Sequence, residues 1–261
     1  MPQITVKELT VNYLDEGSGP VLLMLHGWGS SLRSYEQLIP LLSKHFRVIF
    51  PELPGFGESE EPHESWEVSD YVEFVKDFVS KFRIQNSSAS ADKINVYAHS
   101  FGARIAIKWL AGGDERVEKL IMCGAAGIKE NLSTRQKSAQ GLSKFKSLVP
   151  SFLAKPLRKV LYKFAGSSDY DKASPIMKET LQKVVDENLS PLLSKIKVPT
   201  LLVWGKHDTY TPLHQGELMH EQIKNSKLVV IETAKHGVHL QEPQKLAELV
   251  SDFIQNLESR I

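Results

Sequence analysis

The sequence holds a single cysteine, Cys123, among 261 residues. One thiol makes neither an intrachain disulfide nor a thiolate metal cluster, and at the end of a short apolar run it suits a buried, inert side chain in a reducing compartment. An excess of one charge is equally lacking: 32 Lys and Arg against 31 Asp and Glu leave a net charge of +1. That balance supplies no general pull toward nucleic acid or acidic membranes, which disfavours polyanion binding as the main task. Long apolar runs are missing too. The longest span a handful of residues, far below the ~18 that a bilayer crossing requires. The start, Met1-Pro2-Gln3-Ile4-Thr5, has neither the basic region nor the apolar segment of a secretory signal. These features predict a cytoplasmic location and no stable membrane insertion. There is no internal repeat to suggest a solenoid or propeller. Neither G-x-G-x-x-G nor G-x-x-x-x-G-K-[ST] occurs, so a dinucleotide or P-loop phosphate cradle is missing.

What is present is an ordinary globular composition, 41% apolar and 24% charged, enough for one large core with a small accessory unit. Two short alternating stretches at residues 4–7 and 10–14 predict a hairpin leading to a buried strand at 21–25. Strands are then predicted at 47–50, 93–97, 119–123, 200–204 and 228–231. Helices are predicted at 32–43, 68–82, 101–111, 213–222 and 244–257. Strands alternating with amphipathic helices imply right-handed crossovers and a mostly parallel sheet covered on both faces, an α/β fold. Chemistry in such sheets belongs to loops at the carboxyl ends of the strands.

One interval breaks the alternation. Residues 128–165 carry nine Lys or Arg and one acid, a local +8 that leaves −7 for the rest. Leu157, Val160, Leu161 and Phe164 follow the i, i+3, i+4, i+7 spacing of an amphipathic helix, with Pro156 suited to its first turn. The expected organisation is a core of residues 1–127 and 191–261, with a small helical cap or lid, 128–190, inserted between strands. The lysines are expected to solvate the outer face of the cap. The alternatives for them are binding of anionic acyl substrates or contact with a membrane surface.

Three loops carry candidate chemistry. The strand at 93–97 runs into Ala98-His99-Ser100-Phe101-Gly102 and at once into a helix. A serine on such a turn is pushed above the sheet edge, small residues two before and two after allow the close packing, and the helix N-terminus favours negative charge. A serine there also serves commonly as a plain helix cap. His26-Gly27-Trp28-Gly29-Ser30 follows the first central strand and can aim a backbone N–H at the same point. Acyl transfer needs two such donors for its oxyanion, and the amides of Trp28 and Phe101 are the candidates. A serine nucleophile also needs a base oriented by a third group. Asp208, in Gly205-Lys206-His207-Asp208, and His236, before Gly237-Val238-His239, stand after late strands on the same edge.

Together these segments resemble the α/β-hydrolase superfamily over nearly the whole chain. The His26 loop resembles its oxyanion loop, and Pro51-Glu52-Leu53-Pro54-Gly55-Phe56-Gly57-Glu58-Ser59 its D-x-P-G-x-G-x-S turn. Ala98 to Gly102 resembles the nucleophile elbow, Gly205 to Asp208 the acid loop, and His236 to Pro243 the terminal segment. The order Ser100, Asp208, His236 is that of the superfamily. The resemblance implies Ser100 as nucleophile, His236 as general base and acid, and Asp208 as the orienting carboxylate, with no cofactor or metal. A serine at position 100 disfavours the dehalogenases and epoxide hydrolases, which use aspartate.

The chain departs from the pattern at Glu52, expected to hold its loop below the site. It departs also at Lys235, expected to face solvent, and at Glu242, which takes the acidic place instead of Gln241. His99 and His207 are expected to be scaffold. His239, three residues after His236, lacks the further ligands a metal needs and is expected to pack or to hydrogen-bond. Trp28, Phe101, Phe145, Phe152, Leu157 and Phe164 are the expected substrate-pocket residues. The expected function is hydrolysis of small to medium carboxylic esters, with a small molecule as partner. The alternatives are carbon–carbon bond hydrolysis of a meta-cleavage-type diketone acid and non-catalytic ligand binding on the same fold.

Overall fold

A computed structural model describes residues 1–81, 93–129 and 173–255 of the chain. Eight strands form one sheet in the order β1-β2-β4-β3-β5-β6-β7-β8. They are β1 (Gln3–Val6), β2 (Leu9–Glu16), β3 (Val21–Leu25), β4 (Arg47–Pro51), β5 (Ile94–His99), β6 (Val117–Cys123), β7 (Thr200–Gly205) and β8 (Ser226–Ile231). β1 and β2 form an antiparallel hairpin, β2 is antiparallel to β4, and the pairs from β4 through β8 are parallel. The parallel strands read as unbroken apolar runs because both sheet faces are covered.

Side-chain alternation sorts each strand between two cores. Val21, Leu23 and Leu25 of β3 join one cluster with Val96, Met122 and Trp204. Leu22 and Met24 join the other with Tyr97, Cys123 and Val203. The helices are α1 (Ile39–Leu42), α2 (Val68–Lys81), α3 (Phe101–Ala111), α4 (Pro175–Asp186), α5 (Leu213–Gln222), α6 (Val238–Gln241) and α7 (Pro243–Ile254). α2 and α3 pack in the first cluster, whereas α1, α6 and α7 pack in the second.

The single helix expected at 32–43 is two short pieces, a 3₁₀ turn at Leu32–Tyr35 and α1. Pro40 has no N–H to continue a helix from the preceding turn, and it is tolerated where it stands, in the first turn of α1. Within the interval 128–190, α4 is capped by Ser174, whose hydroxyl accepts from the Met177 amide, with Pro175 in the first turn. α4 is tied to α3. Buried Arg104 of α3 donates to the carbonyls of Val184 at 2.7 Å and Glu187 at 3.0 Å, and Lys108 pairs with the Glu187 carboxylate at 2.6 Å. The helix predicted around Leu157, and the pocket positions Phe145, Phe152, Leu157 and Phe164, lie outside the described residues. So does most of the basic stretch.

Candidate active site

Ser100 joins β5 to α3 with φ 49° and ψ −107°, a left-handed backbone that an L-residue adopts only at a cost of about 1–3 kcal/mol. Its amide donates to Cys123 O at 3.2 Å, and its carbonyl accepts from Ala103 and Ala126. These bonds hold the strained turn against β6. The side chain makes no helix-capping bond, so the helix-cap alternative is set aside. Gly102 is required here by contact: a Cβ on it would stand 2.3 Å from the carbonyl oxygen of Leu25.

The hydroxyl meets His236 instead. His236 Nε2 is 3.0 Å from Ser100 Oγ and His236 Nδ1 is 2.7 Å from Asp208 Oδ2. The Asp208 side chain is fully buried while that of His236 is 18% exposed, so the imidazole alone links the hidden carboxylate to the open hydroxyl. Asp208 Oδ1 accepts the amides of Tyr210 at 2.8 Å and Thr211 at 2.9 Å, and Oδ2 accepts the Thr211 hydroxyl at 2.8 Å. That hydroxyl is also 3.1 Å from Gly124 O and 3.3 Å from His236 Nδ1. Gly124, at φ +51°, backs the pair so closely that a Cβ would stand 3.2 Å from His236 Nδ1. The three chain-distant groups are thereby joined by hydrogen bonds.

The His26 loop lies against the serine turn. A Cβ on Gly27 would be 3.4 Å from Ser100 Cβ, and the Gly102 amide donates to His26 O at 3.0 Å. Phe101 opens α3, so its N–H has no carbonyl within the helix to bind. His26 is buried and receives the Leu53 amide on Nε2 at 2.9 Å. Its Nδ1–H therefore donates to Gly27 O at 2.8 Å. Burial pushes its pKa down to about 4, against the opposing effect of the Gly27 bond. The neutral ring stacks on Phe50 and fixes the loop to the Leu53 turn. Glu52, 2% exposed, closes that turn by accepting the amides of Leu32 at 3.0 Å and Glu58 at 2.8 Å.

Half-buried Trp28 packs edge-on against Phe56 and Phe101. Lys235 is exposed, and its amide donates to Gln241 Oε1 at 2.7 Å, so Gln241 braces the loop that carries His236. His207 is exposed. His99 is buried beneath His236: its Nε2 is 3.2 Å from His236 O and its ring centroid is 4.9 Å from that of His236. His239 stacks on Tyr35 at 4.3 Å and meets His99 edge-on at 4.5 Å. Burial, with the neighbouring His236, lowers the His239 pKa to about 4. Burial likewise pushes the Cys123 thiol up to about 12, which leaves it protonated and unreactive at neutral pH.

Sequence reasoning passed over Thr211, Gly124 and Tyr210. A signal for Thr211 exists in Asp208-Thr209-Tyr210-Thr211-Pro212: an aspartate that accepts the amides two and three residues on is a common turn chemistry.

A family model described as the alpha/beta hydrolase family matches residues 22–249, and the chain belongs to that family. It is 27% identical to the AB hydrolase superfamily protein YisY of Bacillus subtilis, covering 95% of this chain and 97% of that protein. It is 23% identical to the 2-hydroxy-6-oxo-2,4-heptadienoate hydrolase of Pseudomonas putida, covering 94% and 93%. Among solved structures it is similar to an esterase from Exiguobacterium antarcticum, with 25% identity, a TM-score of 0.74 and coverage of 97% and 98%. No described helix is long and apolar enough to cross a membrane.

Proposed function

We propose that this hydrolase cleaves small to medium carboxylic esters through an acyl-enzyme intermediate. Ser100 Oγ attacks the ester carbonyl while His236 Nε2 takes its proton, and the amides of Trp28 and Phe101 receive the developing oxyanion. His236 then protonates the leaving alcohol. Water, activated by the same imidazole, attacks the acyl-enzyme, releases the acid and restores Ser100. The Asp208 carboxylate fixes the Nδ1–H tautomer and stabilises the imidazolium. The observation that carries this reading is His236, 3.0 Å from Ser100 Oγ and 2.7 Å from Asp208 Oδ2. Trp28 and Phe101 are the apolar wall beside the acyl group. The similarity to a solved esterase supports the substrate class. The test is turnover of short p-nitrophenyl esters by the wild type and by Ser100→Ala. Loss in the variant supports the reading, and undiminished multiple turnover by the variant overturns it.

Carbon–carbon bond hydrolysis is the second reading, favoured by the similarity to the Pseudomonas putida dienoate hydrolase. A vinylogous diketone acid offers the serine a carbonyl in the same way. Rates on such an acid measured beside simple esters separate the two: a preference for the diketone acid by orders of magnitude supports the second reading.

A further inference from the structure

His236 has an aromatic neighbour that the acyl-transfer mechanism leaves unused. His99, on one flank, is 5% exposed, whereas the Tyr210 ring, centred 5.1 Å from the imidazole and tilted 33°, belongs to a residue 54% exposed. The Tyr210 main chain is fixed, its amide donating to Asp208 Oδ1 at 2.8 Å, and its ring lies against the imidazole. Large apolar side chains left exposed among the described residues are few: Met1, Val185, Tyr210 and Leu240. Of these four, Tyr210 is the one whose ring meets His236.

Acyl transfer decides what such a surface faces. The tetrahedral carbon carries Ser100 Oγ, the oxyanion, the acyl chain and the leaving oxygen. When the intermediate collapses, the oxyanion re-forms the carbonyl and the bond to the leaving oxygen breaks. That oxygen keeps the electron pair and takes the proton from His236 Nε2, departing as an alcohol. The leaving oxygen therefore sits within hydrogen-bond reach of Nε2, and its substituent emerges alongside the imidazole. The exposed ring beside that imidazole is Tyr210.

We propose that Tyr210 forms the subsite for the leaving alcohol and selects esters of planar, apolar alcohols such as arylmethanols. This rests on the ester reading and adds to it the chemical class of the alcohol. Substituting Tyr210 preserves its amide bond to Asp208, so the effect reports the ring.

The experiment compares kcat/KM for benzyl acetate and ethyl acetate in the wild type, Tyr210→Ala and Tyr210→Phe. The acetyl-enzyme is common to both esters, and kcat/KM reports its formation, the step in which the alcohol leaves. The benzyl-to-ethyl ratio is expected to fall about three- to tenfold in Tyr210→Ala, as for loss of one aromatic contact, and to persist in Tyr210→Phe. The methyl hexanoate to methyl acetate ratio is expected to hold in all three proteins. Equal losses on benzyl and ethyl acetate make the ring only a cover for His236 and overturn the assignment, as does an unchanged ratio. A wild type that hydrolyses neither ester fails the ester reading, and the subsite with it. Turnover with an unchanged ratio fails the subsite alone.

Discussion

The hydroxyl of Thr211 lies 2.8 Å from Asp208 Oδ2 and 3.3 Å from His236 Nδ1, at the junction where carboxylate and imidazole meet. Asp208 Oδ2 is thus approached by two donors, one of them the ring it orients. Thr211→Val keeps the shape and removes a hydrogen bond to a charged group, for which about 1.5–3 kcal/mol is typical. A fall in kcat of roughly ten- to a hundredfold is expected, with Thr211→Ser retaining most activity. Equal kcat in Val and wild-type enzymes would show the hydroxyl to be idle.

Gly102 lies where the serine turn touches β3. Gly102→Ala drives a methyl to 2.3 Å from Leu25 O, so backbone must move and the Gly102 amide bond to His26 O is strained. A loss of about 1–3 kcal/mol in stability, the usual cost of overpacking, is expected in urea unfolding, together with slower ester turnover. Wild-type stability in this variant contradicts the close approach.

Acid should weaken the fold through three buried histidines. His26 and His239 are pushed by burial from the ordinary 6.5 to about 4, and burial, then His239 and His236, lower His99 well below its ordinary value. All three are neutral when folded and take protons near 6.5 when unfolded. The unfolded state binds more protons below that pH, so stability rises with pH there. The stability present at neutral pH is lost progressively as pH falls below about 6.5, toward 4 for His26 and His239. A urea midpoint clearly lower at pH 5 than at pH 7.5 is expected, and His239→Phe should flatten the dependence. A midpoint that is the same at both pH values contradicts the buried, neutral assignment.

Arg104 holds α4 by two main-chain carbonyls near its C-terminal end. Arg104→Met keeps much of the apolar stem but leaves both carbonyls without that donor, at about 1–3 kcal/mol per unsatisfied group. Lower thermal stability is expected, with faster proteolysis near residue 187. Identical melting and cleavage would remove the tie between α4 and α3.

The parallel sheet and the chain order of the site were legible because both depend on short-range patterns. Apolar runs of five or six residues, such as Val21–Leu25, mark strands buried on both faces, and small residues around Ser100 and Asp208 mark sharp turns at strand ends. The break between Tyr35 and Ile39 was hidden because hydrophobic spacing continues across it while Pro40 resets the hydrogen bonding. Gly124 and Thr211 were hidden for another reason. Their roles come from a meeting of β6, β7 and β8 loops, and no local pattern around Gly124 announces that His236 will stand beside it. Nothing local to Tyr210 announces that His236, 26 positions later in the sequence, stands against its ring.

The central claim is that Ser100, activated by His236, is the nucleophile. Its most direct test is mass spectrometry of the intact protein after treatment with a fluorophosphonate, followed by mapping of the modified peptide. One adduct on Ser100, lost in Ser100→Ala and strongly slowed in His236→Asn, is the predicted result. An equal adduct in Ser100→Ala, or an active wild-type enzyme that takes none, contradicts it.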